Sequence, residues 1–256
     1  MKNIILTKKQ INNLKLLSRN SIGGYGRCYD YKGEVLKIFG RKLDSNQTKK
    51  IKKKLRRNSK IIMYPKKRVF LFDKKIKFKG YVCDKAPGVD FVKLVSLIKN
   101  GELDITFDEF LEIYYDKFLP LLKKEDVVLK DVQLWHMFWD DGLYLIDTDQ
   151  YIDRPCSMTK ECKDTLNISL LNYEIKNFIM EFISPPLCWD LLHNVSGKES
   201  EDYYDLKKVI EILRRFTNQE VNSFNGLFNY KYRDNEYEPV LFDKEEYYKA
   251  RKQGWI

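Results

Sequence analysis

The sequence predicts an α+β fold in which a small β-rich region precedes a larger helical one. Three observations carry this expectation. Glycines and short β-rich runs crowd residues 20 to 83, apolar residues recur at helical spacing beyond Gly88, and the charge divides near the same place. Residues 1–80 hold 25 Lys+Arg against 4 Asp+Glu, and the remainder 22 against 33, so the net +10 conceals +21 followed by −11. Such a split points to a first region drawn to a polyanion and a second with an ordinary soluble surface.

With 43% hydrophobic and 14% aromatic residues in 256, the chain can bury one sizeable core or two small lobes. No run approaches the roughly 18 apolar residues of a membrane span, and the start is too weakly apolar for a signal peptide, so an intracellular (cytoplasmic) protein without a transmembrane segment is expected. The five cysteines (Cys28, Cys83, Cys156, Cys162 and Cys188) are scattered, with no CxxC pair and only His136 and His193 as imidazole partners. That pattern speaks against a disulfide framework and a structural zinc site.

Thr7 is a suitable N-cap for a helix to Ser18 that buries Ile11, Leu14 and Leu17. Residues 21–31 and 34–39 form a glycine-tipped strand pair about a Lys32-Gly33 turn. Residues 46–62 suit a helix with a thin apolar stripe, Ile51, Leu55, Ile61 and Ile62, and a wide cationic face. Two runs, 69–72 and 76–83, read as a hairpin. Beyond Gly88, Phe107, Phe110, Leu111, Tyr114, Phe118 and Leu121 define a long core helix bent at Pro120. A loop-rich passage, 127–151, contains the strand Leu143–Ile146 and an Asp140-Asp141-Gly142 turn, and helical periods return over 170–182 and 206–216. The domain boundary is placed at 84, giving a basic region 1–84 and a helical region 85–256.

A glycine loop alone often serves only as a turn. Here it is followed by Lys37 inside the apolar strand Val35-Leu36-Lys37-Ile38, where an ammonium needs an anion or a route to solvent; a phosphate meets that need. Further on, Asp131 is followed five residues later by His136 and sixteen later by Asp147, which ends the run Leu145-Ile146 and precedes Asp149. An aspartate at the end of such a run is costly near a core unless it binds a cation. Taken singly, Asp131 can cap a turn, Asp147 can end a surface strand and His136 can be a hydrogen-bonded core histidine.

In that order, the glycine loop, Lys37, the hinge-like 81–88, Asp131 and Asp147 resemble the protein-kinase fold and its small phosphotransferase relatives over residues 20 to 150. The resemblance implies a bilobal α+β fold with a small β-rich N-lobe and a larger helical C-lobe, ATP with Mg2+ (or Mn2+), and transfer to a protein Ser/Thr or small-molecule hydroxyl. By the same resemblance Ser21, Gly23, Gly24, Gly26 and Cys28 cover the nucleotide and Lys37 holds its phosphates. The backbone of Asp84 and Ala86 meets adenine beside a gatekeeper Cys83, Asp131 takes the acceptor proton, and Asp147, with His136 and Asp149, holds metal.

The departures bear on activity. Residues 45–72 contain no acidic residue, so Lys37 lacks the glutamate that kinases place on the following helix, with Asp44 a poorly placed substitute. His136 stands where the family has asparagine, Gln133 where it has lysine, and no Ala-Pro-Glu follows. They leave as the second reading a pseudokinase that holds a partner through its basic lobe. A nucleic-acid-binding role rests on charge alone, since aromatics near the basic helix are sparse.

Overall fold

A computed structural model of the chain describes residues 3–17, 26–40, 43–73, 75–183 and 205–230. The architecture is α+β in two compact units, one of 1–88, 125–131 and 144–153, the other of 89–124, 132–143 and 154–256. Among the described residues no helix is long and apolar enough to cross a membrane.

The first unit is built on a five-stranded sheet of order β1-β4-β5-β3-β2. Its strands are β1 (Ile4–Thr7), β2 (Arg27–Tyr31), β3 (Glu34–Ile38), β4 (Pro65–Asp73) and β5 (Lys75–Cys83). β1 runs parallel to β4 and the other pairs are antiparallel. Lys32 and Gly33, both at positive φ, make the two-residue turn between β2 and β3. Strand alternation divides the side chains cleanly. Leu6, Leu36, Val69 and Val82 pack with Ile11 on one face, and Phe39, Tyr81 and Cys83 pack with Ile51 on the other.

Thr7 does cap α1 (Lys8–Asn12), in a capping box closed by Gln10. The helix is shorter than its periodicity suggested, because Leu16 leaves it to bridge Tyr29 beside β2. α2 (Ser45–Lys54) starts at an Asp44–Gln47 capping box and ends well before residue 62. Ile61 and Ile62 are buried instead as extended chain, where Ile61 accepts from the Leu145 amide and Leu145 accepts from Met63.

That extended segment recruits two later passages into the first unit. β7 (Val127–Val128) pairs antiparallel with β10 (Ile152–Asp153), and β9 (Leu143–Leu145) bridges Ile62 through Leu145. Arg57 adds bonds to Asp153 at 2.6 Å and to the Asp126 carbonyl at 3.1 Å. A single cut at 84 cannot express this arrangement, since it depends on pairings between residues some 80 positions apart.

In the second unit, β6 (Val89–Asp90) pairs antiparallel with β8 (Met137–Trp139), and α3 (Phe91–Lys99), α6 (Lys160–Met180), α7 (Leu206–Phe216) and α8 (Phe224–Asn229) accompany a continuous helical run. The run comprises α4 (Phe107–Leu111), a π segment (Glu112–Phe118) and α5 (Leu119–Leu122). The Leu119 amide donates to Tyr114, five residues back, and Pro120 has no amide with which to restore the ordinary ladder. The extra residue per turn brings Leu119 and Leu122, not Leu121, to the buried side. Phe91, Phe110, Trp139, Phe178 and Phe224 form an aromatic core with ring centroids 4.7 to 6.2 Å apart. α6 begins ten residues earlier than the sequence suggested. Its first half buries Lys163 and Asn167, polar residues that hide the helical period.

Candidate active site

The site in the first unit starts from a row across the sheet. Cys28, Lys37 and Tyr81 are register partners on β2, β3 and β5, so their side chains leave the same face. Gly80 makes this row possible: a Cβ there would lie 1.9 Å from the Lys37 carbonyl oxygen, and any side chain would push β5 off β3. Lys37 is 5% exposed and paired to both Asp147 and Asp149, the latter at 2.7 Å. The Tyr81 hydroxyl donates to Asp149 at 3.1 Å.

Asp149 thus supplies the ion-pair partner that the helix after β3 does not. Its side chain is 6% exposed and that of Asp147 29%, so Asp149 is committed to Lys37 and Tyr81 while Asp147 is the more accessible of the two. Burial first, then the hydrogen bond and charge of Asp149, push the Asp147 carboxyl up to about 7. Burial also acts on Asp149, but its bonds from Asp147, Lys37 and Tyr81 hold it well below the usual carboxylate range. One proton is therefore shared unequally, with Asp147 its holder. Despite burial, the two carboxylates raise Lys37 above the ordinary lysine value, so it stays charged.

From α2 comes Lys54, 2% exposed, whose ammonium donates to the Thr148 carbonyl between the two aspartates. The helix thus inserts a cation where the family resemblance implies a glutamate, and the acid sits on the loop. Burial, then the charges of Lys50 and Arg57 against those of Asp149 and Asp153, lower Lys54 to about 8. Because the unfolded lysine titrates near 10.5, the folded state binds fewer protons between pH 8 and 10.5, and stability from this group rises with pH across that window. Urea unfolding at pH 7.5 and 9.5 checks this. The difference between wild type and Lys54→Met is expected to move in favour of wild type at the higher pH.

Asp131 and Asp147 both hold left-handed backbone conformations, at φ 55° and 56°, which a non-glycine residue adopts at a cost and which recur at functional positions. The β7–β10 ladder brings their loops together, Asp131 three residues after Val128 and Asp147 five before Ile152. Tyr151, fully buried immediately before β10, feels the charges of both loops. Burial raises its phenol, and the charges of Asp147, Asp131 and Asp149 act in the same direction.

The other expected residues are placed as follows. Gly26 lies at the start of β2 with its backbone so close to Ile38 that a Cβ would meet that carbonyl oxygen at 2.7 Å, a packing reason for glycine. Ser21, Gly23 and Gly24 lie outside the described residues. Asp84 and Ala86 follow β5; the Asp84 carboxylate pairs with Lys66 at 2.5 Å, and Ala86 is buried. Burial pushes the Cys28 thiol up to about 11 and that of Cys83 to about 12, so both are poor nucleophiles. Cys156 and Cys162 are exposed free thiols.

His136 belongs to the second unit, buried on a short turn (Leu134–His136) whose Leu134 amide donates to Glu174. Among the described residues no group of three His, Cys, Asp or Glu side chains is arranged to hold a metal by itself. Sequence reasoning missed Lys54, Tyr81 and Tyr151. For Lys54 a signal existed, since it lies three residues after Ile51 and beside Leu55 on the buried stripe of α2. Comparison with protein-family models and with curated proteins finds no match to this chain.

Proposed function

We propose that this chain is an ATP-dependent phosphotransferase of the protein-kinase-like type, moving the γ-phosphoryl group to a hydroxyl of a protein Ser/Thr or of a small molecule. The observation that carries the reading is Lys37, held in a β-strand beneath α2 and paired to Asp147 and Asp149, on a loop that β7–β10 joins to the Asp131 loop. The donor set fits a magnesium–nucleotide. Magnesium keeps several waters and takes one or two carboxylates plus phosphate oxygens, so Asp147, the more exposed of the two aspartates, is the expected protein ligand, and a cage of three side chains is not required. When bound, the ion neutralises charge on the transferring group. Lys37 gives its ammonium to phosphate oxygens while Asp149, itself held by the Tyr81 hydroxyl, keeps that ammonium in place. Asp131 orients the acceptor hydroxyl and takes its proton.

Asp131→Asn tests the assignment with the backbone preserved, because asparagine also tolerates the left-handed conformation. With labelled ATP and a lysate as acceptor source, transfer is expected to fall about 10²- to 10⁴-fold, with ATP affinity and unfolding temperature unchanged. Equal transfer in both proteins rejects the role of Asp131.

The second reading is a pseudokinase binding module. The observation in its favour is that two carboxylates already neutralise the Lys37 ammonium. It predicts nucleotide or partner binding without transfer in the same assay.

A further inference from the structure

The sheet face that carries Lys37 and Tyr81 continues beyond α2 as an apolar strip. Register places Ile5 beside Phe70, Phe70 opposite Phe78 and Phe72 opposite Ile76, so these five side chains leave the sheet on one face. α2 covers the inner part, where Ile51 packs with Phe39, Tyr81 and Cys83 and Phe78 lies at the cluster's margin. At the hairpin end Ile5, Phe72 and Ile76 are 53%, 53% and 56% exposed. On the same side of the sheet, α2 turns Ile51 and Lys54 inward and leaves Lys49, Lys50, Lys52 and Lys53 exposed.

A partner for this face must be apolar and anionic together. A nucleic acid stacks on exposed rings, but two of the three most exposed residues are isoleucines, and Phe70 and Phe78 are engaged edge-to-face with each other at 5.8 Å. A second copy brings the same basic region, +21 over residues 1–80, against itself. The boundary of an anionic bilayer offers acyl chain and negative headgroup within a few ångströms of each other.

We propose that this face docks the first unit on an anionic lipid surface. Ile5, Phe72 and Ile76 enter the headgroup boundary, and the exposed lysines of α2 meet lipid phosphates and carboxylates. The proposal does not rest on the nucleotide reading, since the Lys37 pairing is made by Asp147 and Asp149 and not by Ile5, Phe72 or Ile76.

Vesicle co-sedimentation of the full chain tests it, using phosphatidylcholine with and without phosphatidylserine. Wild type is expected to partition at least about tenfold more strongly onto the anionic vesicles, and high salt should weaken binding. Phe72→Ser/Ile76→Ser and, on a separate strand, Ile5→Ser should each lower partition at constant salt, the double substitution by about tenfold. Unchanged unfolding temperatures show that each variant is folded, and the Ile5→Ser result stands if the double variant is not. Lys52→Glu/Lys53→Glu should lower binding as well. The proposal is overturned by absence of vesicle binding, or by apolar variants that bind as wild type does. It is also overturned if these substitutions abolish a concentration-dependent dimer or poly(U) binding while vesicle binding persists.

Discussion

Replacing Lys37 by Met lowers the unfolding free energy by about 3–5 kcal/mol, the expected cost of removing one partner from a buried ion pair. The reason lies in what remains. Asp149 is almost wholly inaccessible, and without the ammonium its carboxylate is left to Tyr81 and Asp147. It must then ionise in a low-dielectric site or take up a proton, and either route costs the folded state. Asp149→Asn in the same chain removes that charge and should recover about 1–3 kcal/mol, the coupling expected for residues in one network. Denaturant unfolding of the two single variants and the double variant measures this directly. A loss below about 1 kcal/mol in Lys37→Met would place the lysine among solvent-exposed pairs, contrary to its 5% exposure.

Asp147→Asn has the opposite effect on the unliganded chain, raising its stability by about 2 kcal/mol above pH 7. In the unfolded chain this carboxyl ionises near 3.8, whereas in the folded protein burial and Asp149 raise it to about 7. The folded state therefore holds the extra proton between these values, and stability from this group falls as pH rises from about 4 to 7. Asparagine has no proton to lose and escapes the penalty. Its advantage is full above pH 7, shrinks as pH falls and disappears below about 4. The same substitution removes the expected metal ligand, so gain of stability and loss of transfer should coincide, as at sites that hold a charge for function. Thermal unfolding from pH 4 to 8.5 reads the first effect. A pH-independent difference would show that the aspartates do not share a proton in the folded state.

Much of the first unit was legible because local chemistry and alternation agree. Thr7 and Gln10 form a capping box, Lys32-Gly33 makes a hairpin turn, and Val35 to Ile38 place one lysine in an apolar strand. Lys37 and Asp147 could be selected as a pair for the same reason, each a charge at a position that otherwise reads as buried. What escaped depends on long-range contacts. The recruitment of 125–131 and 144–153 rests on two-residue ladders and single bridges that no periodicity reveals. The family resemblance puts the partner of Lys37 on the following helix, but two residues beyond Asp147 lies a second acid that performs this task. In α6, polar residues on the buried side hid the first half of the helix. At Pro120 the sequence predicts a bend, and the structure answers the missing amide with a π segment instead.

Lys37 and Asp147 are proposed as one site for a metal-bound triphosphate. The most direct test is the unfolding temperature of wild type and Asp147→Asn with ATP, with and without magnesium or manganese. ATP is expected to stabilise wild type only when the metal is present, by about 3 kcal/mol at a hundredfold excess over its Kd, and Asp147→Asn is expected to show no metal-dependent shift. An equal, metal-independent shift in both proteins, or no shift in wild type under any condition, would contradict it.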